Sequence, residues 1–177
     1  YAALGEVRTA IDYHKQALAI AREIGNRRAE GTHWGNLGTV YHSLGELDTA
    51  IDYYKQSLAI AQQTGDRSGE SACLGNLGLA YADLGQVRTA IDYHKEALAI
   101  SQQIGDRYGE GADLGNLGLA YAALGQLDIA IGYYDRALSI SQEIGDRRGE
   151  GKALENLGVA YHRLGELHTA MGYYEKA

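Results

Sequence analysis

The feature that most restricts this chain is its period. The stretch Trp34-Gly35-Asn36-Leu37-Gly38-Thr39-Val40-Tyr41 returns at residues 74–81, 114–121 and 154–161, forty residues apart each time. A repeat of that length is one supersecondary unit that buries its apolar face only against its neighbours. It therefore specifies a stacked array and not a domain around one core. The 177 residues hold a partial repeat at 1–25, repeats at 26–65, 66–105 and 106–145, and a partial repeat at 146–177. The expected organisation is a single array over 1–177. The chain opens on Tyr1 and stops at Ala177 inside a helical pattern, so it reads as a piece of a longer array.

Each repeat divides into two helices. Gly5, Gly45, Gly85, Gly125 and Gly165 are expected to end one, and Gly25, Gly65, Gly105 and Gly145 the other, because glycine takes the left-handed conformation past a helix end at little cost. Asn26, Asp66, Asp106 and Asp146 follow the second set, each suited to cap the next helix. The spacing predicts helix A over 27–44, 67–84, 107–124 and 147–164, and helix B over 46–64, 86–104, 126–144 and from 166. An earlier helix is predicted from about Glu6 to Ile24, with an apolar stripe of Ala10, Tyr13, His14, Ala17, Ala21 and Ile24. Residues 1–4 would be the tail of a helix that Gly5 breaks. Such short loops permit only antiparallel neighbours, and with no proline in the chain no helix is forced to kink. One outward position reads Arg8, Asp48, Arg88, Asp128, His168. A solvated face is its simplest meaning.

A formal charge of −7 argues against a general nucleic-acid surface, which needs a basic face, and against docking on acidic membranes. The lone cysteine, Cys73, excludes an internal disulfide framework and points to a reducing, cytoplasmic setting. No apolar run reaches the ~18 residues of a membrane span. No metal, cofactor or catalytic motif is expected. The histidines form no ligand pair at helical spacing on one helix, and Asp, His and Ser are scattered without a converging pocket. The stretch Gly65-Asp66-Arg67-Ser68-Gly69-Glu70-Ser71 lacks the lysine of a phosphate loop.

Trp34-x2-Leu37-Gly38-x2-Tyr41, followed by Ala50, Tyr54 and Ser57, resembles the tetratricopeptide repeat over essentially the whole chain. Two departures stand out: the period is forty where thirty-four is usual, and Gln62 stands where the repeat normally closes on proline. Long units with Asn-Leu-Gly and Ile-Gly-Asp-Arg are similar to those of Pins/LGN adaptors, kinesin light chains and the sensor arrays of signalling NTPases. The resemblance implies an all-α, right-handed superhelical solenoid of antiparallel helix A and helix B pairs. It also implies a non-catalytic scaffold that holds an extended peptide or partner segment on the concave face lined by helix A.

Helix A offers two stripes. Residues 34, 37, 38 and 41 share one direction, the packing side. Residues 32, 36, 39 and 43 lie about 170° away at 100° per residue. The second stripe carries Asn36, Asn76, Asn116 and Asn156 at one recurring position. A side-chain amide both donates and accepts, so a ladder of them can pair with a peptide backbone without reading its sequence; alternatively these amides tie neighbouring helices together. Gly35, Gly75 and Gly115 beside them imply a shallow floor or a tight helix contact. Leu79, Tyr108 and Leu119 make the middle of the face apolar. Arg148, Lys152 and Arg163 make its end basic, suited to an acidic residue or carboxylate of the ligand or else simply solvated. Arg27, Arg67, Arg107 and Arg147 lie on the packing side with a glutamate three residues on, the spacing of a structural ion pair. Two other readings remain open: a module that self-associates end to end, and a ligand sensor within a larger signalling NTPase.

Overall fold

The structure is a computed structural model that describes residues 2–177, with side chains from residue 7 onward. The described residues are helical, without strand, and fall into two compact units. The first, Tyr1–Gly85, holds α1 (Ala2–Glu23), α2 (Arg27–Ser43), α3 (Leu47–Thr64) and α4 (Arg67–Asp83). The second, Gln86–Ala177, holds α5 (Val87–Ile104), α6 (Arg107–Ala123), α7 (Leu127–Ile144), α8 (Arg147–Leu164) and α9 (Leu167–Tyr174). Within each unit successive helices pack on one another. The A-type helices also touch across the repeat, α2 against α4 and α6 against α8.

The corners follow from local chemistry. Asn26 Oδ1 accepts from the backbone N–H of Ala29 at 3.0 Å, and Asp66, Asp106 and Asp146 cap α4, α6 and α8 in the same way. A cap of this kind contributes about 1 kcal/mol. At the end of α3, Gly65 has φ +67°. Its N–H donates to Gln62 O at 3.3 Å, and the N–H of Asp66 donates to Ala61 O at 2.9 Å. These two bonds satisfy carbonyls the helix cannot, and they recur at Gly105 and Gly145.

A glutamate locks each of these corners, buried at Glu30, Glu70 and Glu110 and half-buried at Glu150. Glu70 receives the guanidinium of Arg67 and, at 3.2 Å, the amide of Gln62 from α3. Gln102 and Gln142 do the same for Glu110 and Glu150, while Arg22 takes that part for Glu30 at 2.8 Å. The ion pairs expected from the arginine–glutamate spacing are therefore present in all four repeats. Gln62 supplies a side-chain donor that a proline at its position would lack.

The packing stripe of helix A is where the sequence places it. Trp34 and Tyr41 flank Tyr53 with ring centroids 5.2 Å away in each case, and Tyr121–Tyr133 and Tyr161–Tyr173 stack at 5.4 Å. Leu37, Leu77, Leu114, Leu117 and Leu157 are fully enclosed. Gly38 is the point of closest approach: a Cβ built there would lie 2.6 Å from the ring of Tyr54, and one at Gly158 2.6 Å from the ring of Tyr174. Gly118 meets Tyr134 in the same way.

Three expectations about the first helix are corrected. Gly5 does not break it, for α1 runs through that residue. Tyr13 is 67% exposed, because in later repeats its position stacks on the preceding helix A and the described residues hold none before α1. Ile24 is exposed too, as are Ile104 and Ile144 at the matching helix ends, so the buried positions of α1 are Leu18 and Ala21. The five alternating positions from Arg8 to His168 are all solvent-exposed.

Gly118→Ala is expected to lower stability by about 1–3 kcal/mol through overpacking against Tyr134. Gly132→Ala, where an added Cβ meets nothing within 4 Å, should raise it by about 1 kcal/mol through helix propensity. Urea denaturation of the two variants beside the parent separates these effects.

Candidate functional site

The side of helix A opposite the packing stripe is the candidate. In the first unit it presents Thr32, Asn36, Thr39 and Ser43 from α2 and Ala72, Asn76, Leu79 and Asp83 from α4. In the second it presents Ala112, Asn116, Leu119 and Ala123 from α6 and Lys152, Asn156, Val159 and Arg163 from α8. Every one of these residues is exposed except the four asparagines, which are half-buried. The asparagine amides have no hydrogen-bond partner among the described residues. The alternative in which they bind neighbouring helices together thus finds no bond to carry it.

The hydroxyls of α2 are spent on their own helix. Thr32 donates to Arg28 O at 3.1 Å, Thr39 to Gly35 O at 3.2 Å, and Ser43 to Val40 O at 2.7 Å. Neighbouring A helices are also pinned across this face. Arg28 Nε lies 3.2 Å from Asp66 Oδ2, and His42 Nε2 lies 3.0 Å from Asp83 Oδ2. In the second unit Arg163 reaches from α8 to α6, donating Nη1–H to Ala122 O at 3.0 Å. That contact anchors Arg163, which from sequence alone looked like a free cation. Arg148 and Lys152 are exposed and have no partner among the described residues.

The apolar residues sit as expected: Leu79 and Val159 are exposed, Leu119 is 50% exposed and Tyr108 is 67% exposed. Gly35 serves contact more than floor, since a Cβ there would lie 3.1 Å from Ser57 Oγ, whereas a Cβ at Gly115 would meet nothing within 4 Å. A cleft beside Thr32, Ser57, Thr64 and Asp66 encloses only about 60 Å³, far below the several hundred Å³ of small-molecule sites. The face suits a ligand laid along it.

Two clusters escape sequence reasoning because their members sit on different helices. His14 and His33 bring their Nδ1 atoms to 3.4 Å across α1 and α2. Burial, and then the neighbouring His33, push the His14 imidazole down from its ordinary value. The described residues hold no group of three or more His, Cys, Asp or Glu side chains placed for a metal. In the second unit Asp113 lies between His94, with Nδ1 to Oδ1 at 3.5 Å, and Ser101, with Oγ to Oδ2 at 3.4 Å. All three are buried. A hydrolytic triad needs the imidazole between the hydroxyl and the acid, and here the carboxylate holds the middle. His94 fills the slot that Tyr54 and Tyr134 fill in other repeats, so its buried ring supports packing. The only sequence signal is that the position matching Asp113 reads His33, Cys73 and Ala153 elsewhere.

Burial raises the Asp113 carboxyl above its usual range, and the contacts with His94 and Ser101 only partly oppose this. A carboxyl whose value is raised on folding stabilises the fold while it holds its proton. That contribution is complete below the unfolded-chain value and is lost as pH rises through the folded one. The urea midpoint of the parent should therefore fall relative to that of Asp113→Asn as pH rises from about 4 to about 7. A pH-independent difference would overturn this.

The comparisons with known proteins agree with the geometry. The family model for the tetratricopeptide repeat matches residues 1–63, 30–103 and 111–177. No curated protein matches the chain. Among solved structures, BtubC (BKLC) from P. vanneervenii is 23% identical with a TM-score of 0.88, covering 97% of this chain and 72% of that one. The nearly identical TPR-like repeats of a putative kinesin light chain from Podosopora anserina are 22% identical with a TM-score of 0.77, covering 99% and 87%. A Rap protein complexed with competence and sporulation factor is 20% identical with a TM-score of 0.84, covering 98% of this chain and 48% of that one. At these identities the likeness is one of fold. No helix among the described residues is long and apolar enough to cross a membrane.

Proposed function

The chain belongs to the tetratricopeptide repeat family, whose repeats serve in general as non-catalytic interaction scaffolds, and we propose that it binds an extended peptide or partner segment on the exposed side of helix A. The observation that carries this reading is the set of asparagines. Half-buried amides with no hydrogen-bond partner among the described residues are oriented donors and acceptors waiting for one. An extended backbone offers the complementary groups at regular spacing. The similar fold of a Rap protein complexed with competence and sporulation factor supports a ligand-holding role for this arrangement.

Each unit would grip its ligand differently. In the first, Asn36 and Asn76 lie among hydroxyls and the acid Asp83. In the second, Asn116 and Asn156 lie among Tyr108, Leu119 and Val159, with Arg148 and Lys152 toward the start of α8. That mixture suits a segment with apolar side chains and an acidic residue. The rim cations would add orientation and association rate more than affinity.

Display of random peptides on the array, run in parallel on Asn76→Ala and Asn116→Ala, tests the amides. Peptides enriched on the parent should lose about five-fold in affinity for each amide removed, and enrichment that is the same on both variants would sink the assignment. Lys152→Glu should weaken acidic peptides about ten-fold at low salt and less at high salt. Unchanged binding would remove Lys152 from the site.

A further inference from the structure

The slot between a helix B and the helix A that follows is filled differently from repeat to repeat. The positions matching His14 read Tyr54, His94, Tyr134 and Tyr174, and those matching His33 read Cys73, Asp113 and Ala153. The α1–α2 slot sets two imidazoles opposite one another. Their Nδ1 atoms stand 3.4 Å apart, while the ring centroids are 5.6 Å apart and the planes tilt by 44°. The rings therefore converge on one point by their Nδ1 edges. A side-chain hydrogen bond is weak at that length, so the two nitrogens hold each other loosely.

The same separation suits a shared ion. Two nitrogens bound to one tetrahedral zinc at about 2.0–2.1 Å lie about 3.3–3.4 Å from each other. A right-angled pair, as on a square-planar ion, would lie about 2.9 Å apart. Both rings are half-buried, which leaves the slot open to solvent. His94 and Asp113 stand at the matching positions 3.5 Å apart, but burial closes that slot. A metal takes the neutral imidazole, and at His14 that form is favoured first by burial and then by the neighbouring His33. Glu30, one turn before His33, is already engaged by Arg22 and Arg27, so it offers no third ligand. The formal charge of −7 favours the approach of a cation.

We infer that His14 and His33 form a two-histidine zinc site that clips α1 to α2 through their Nδ1 atoms. The Nε2 atoms keep their protons. The two remaining positions of a tetrahedral ion go to water or to a donor from a partner, so the site stays open on one side, unlike the closed four-ligand cage of a structural zinc. Spacing within one helix could not reveal this site, because its ligands come from two. It is independent of the peptide reading of the helix A face.

Calorimetric titration of the tag-free chain with zinc chloride, beside magnesium chloride at matched ionic strength, tests it. One zinc ion per chain is expected, and no magnesium, which prefers oxygen ligands. Two substitutions remove a ligand yet use a residue type that another repeat carries in the same slot: His14→Tyr, the type at position 134, and His33→Ala, the type at position 153. Each should weaken zinc about ten-fold or more. His42→Ala should leave the affinity unchanged; it removes the imidazole that lies 3.0 Å from Asp83, the rival place for an ion. Zinc should raise the thermal midpoint of the parent and of His42→Ala but not that of His14→Tyr, and unfolding without zinc checks that each variant is folded. No saturable binding, equal binding of magnesium, or undiminished affinity in either His14→Tyr or His33→Ala overturns the site. Affinity lost in His42→Ala moves the ion to that pair and overturns it too.

Discussion

A tyrosine ring seated against a bare helix backbone sets the spacing on which both units depend. At Gly38, Gly118 and Gly158 the ring from the following helix B occupies the space that any side chain would need. Helices A and B therefore close until ring meets backbone, and the leucines on either side become fully enclosed. The same closure turns the opposite side of helix A outward and fixes which residues it shows. The packing and the exposed candidate face are two consequences of one contact.

The contact is repeated but not copied, and the differences fall where the chemistry changes. The Tyr54 hydroxyl donates to Thr39, the ring of Tyr134 stands in a repeat where Leu119 replaces that threonine, and His94 lies 3.5 Å from Asp113, to which Ser101 donates. Each repeat therefore seats its buried ring among its own neighbours. These differences individualise a face that the period alone would make uniform. Regular corners allow the variation, since the glutamate, its arginine and a donor from the preceding helix hold each one independently of what the ring does.

The cleft beside the candidate face encloses only about 60 Å³, and the described residues hold no group of three or more His, Cys, Asp or Glu side chains placed for a metal. Its resources are oriented amides, exposed apolar side chains and a basic end. Those are the means of holding a chain by shape and hydrogen bonds, which fits a scaffold. The pins between neighbouring A helices, Arg28 to Asp66 and Arg163 to Ala122, keep that surface in place.

The local rules were legible in the residues themselves. Period, helix limits, caps, stop glycines, the packing stripe and the arginine–glutamate pairs all depend on neighbours within a few positions, so spacing was enough to find them. The outward direction of Asn36, Asn76, Asn116 and Asn156 belongs with these, because helical geometry alone sets it. What the sequence could not show was a partner drawn from another helix: His33 for His14, Asp113 for His94, and Ala122 for Arg163. It also misjudged Gly5, through which α1 runs, and Tyr13, whose behaviour depends on whether a neighbouring helix is there to pack against. Contacts between helices depend on how far the backbones close, and only the packed tertiary structure decides that distance.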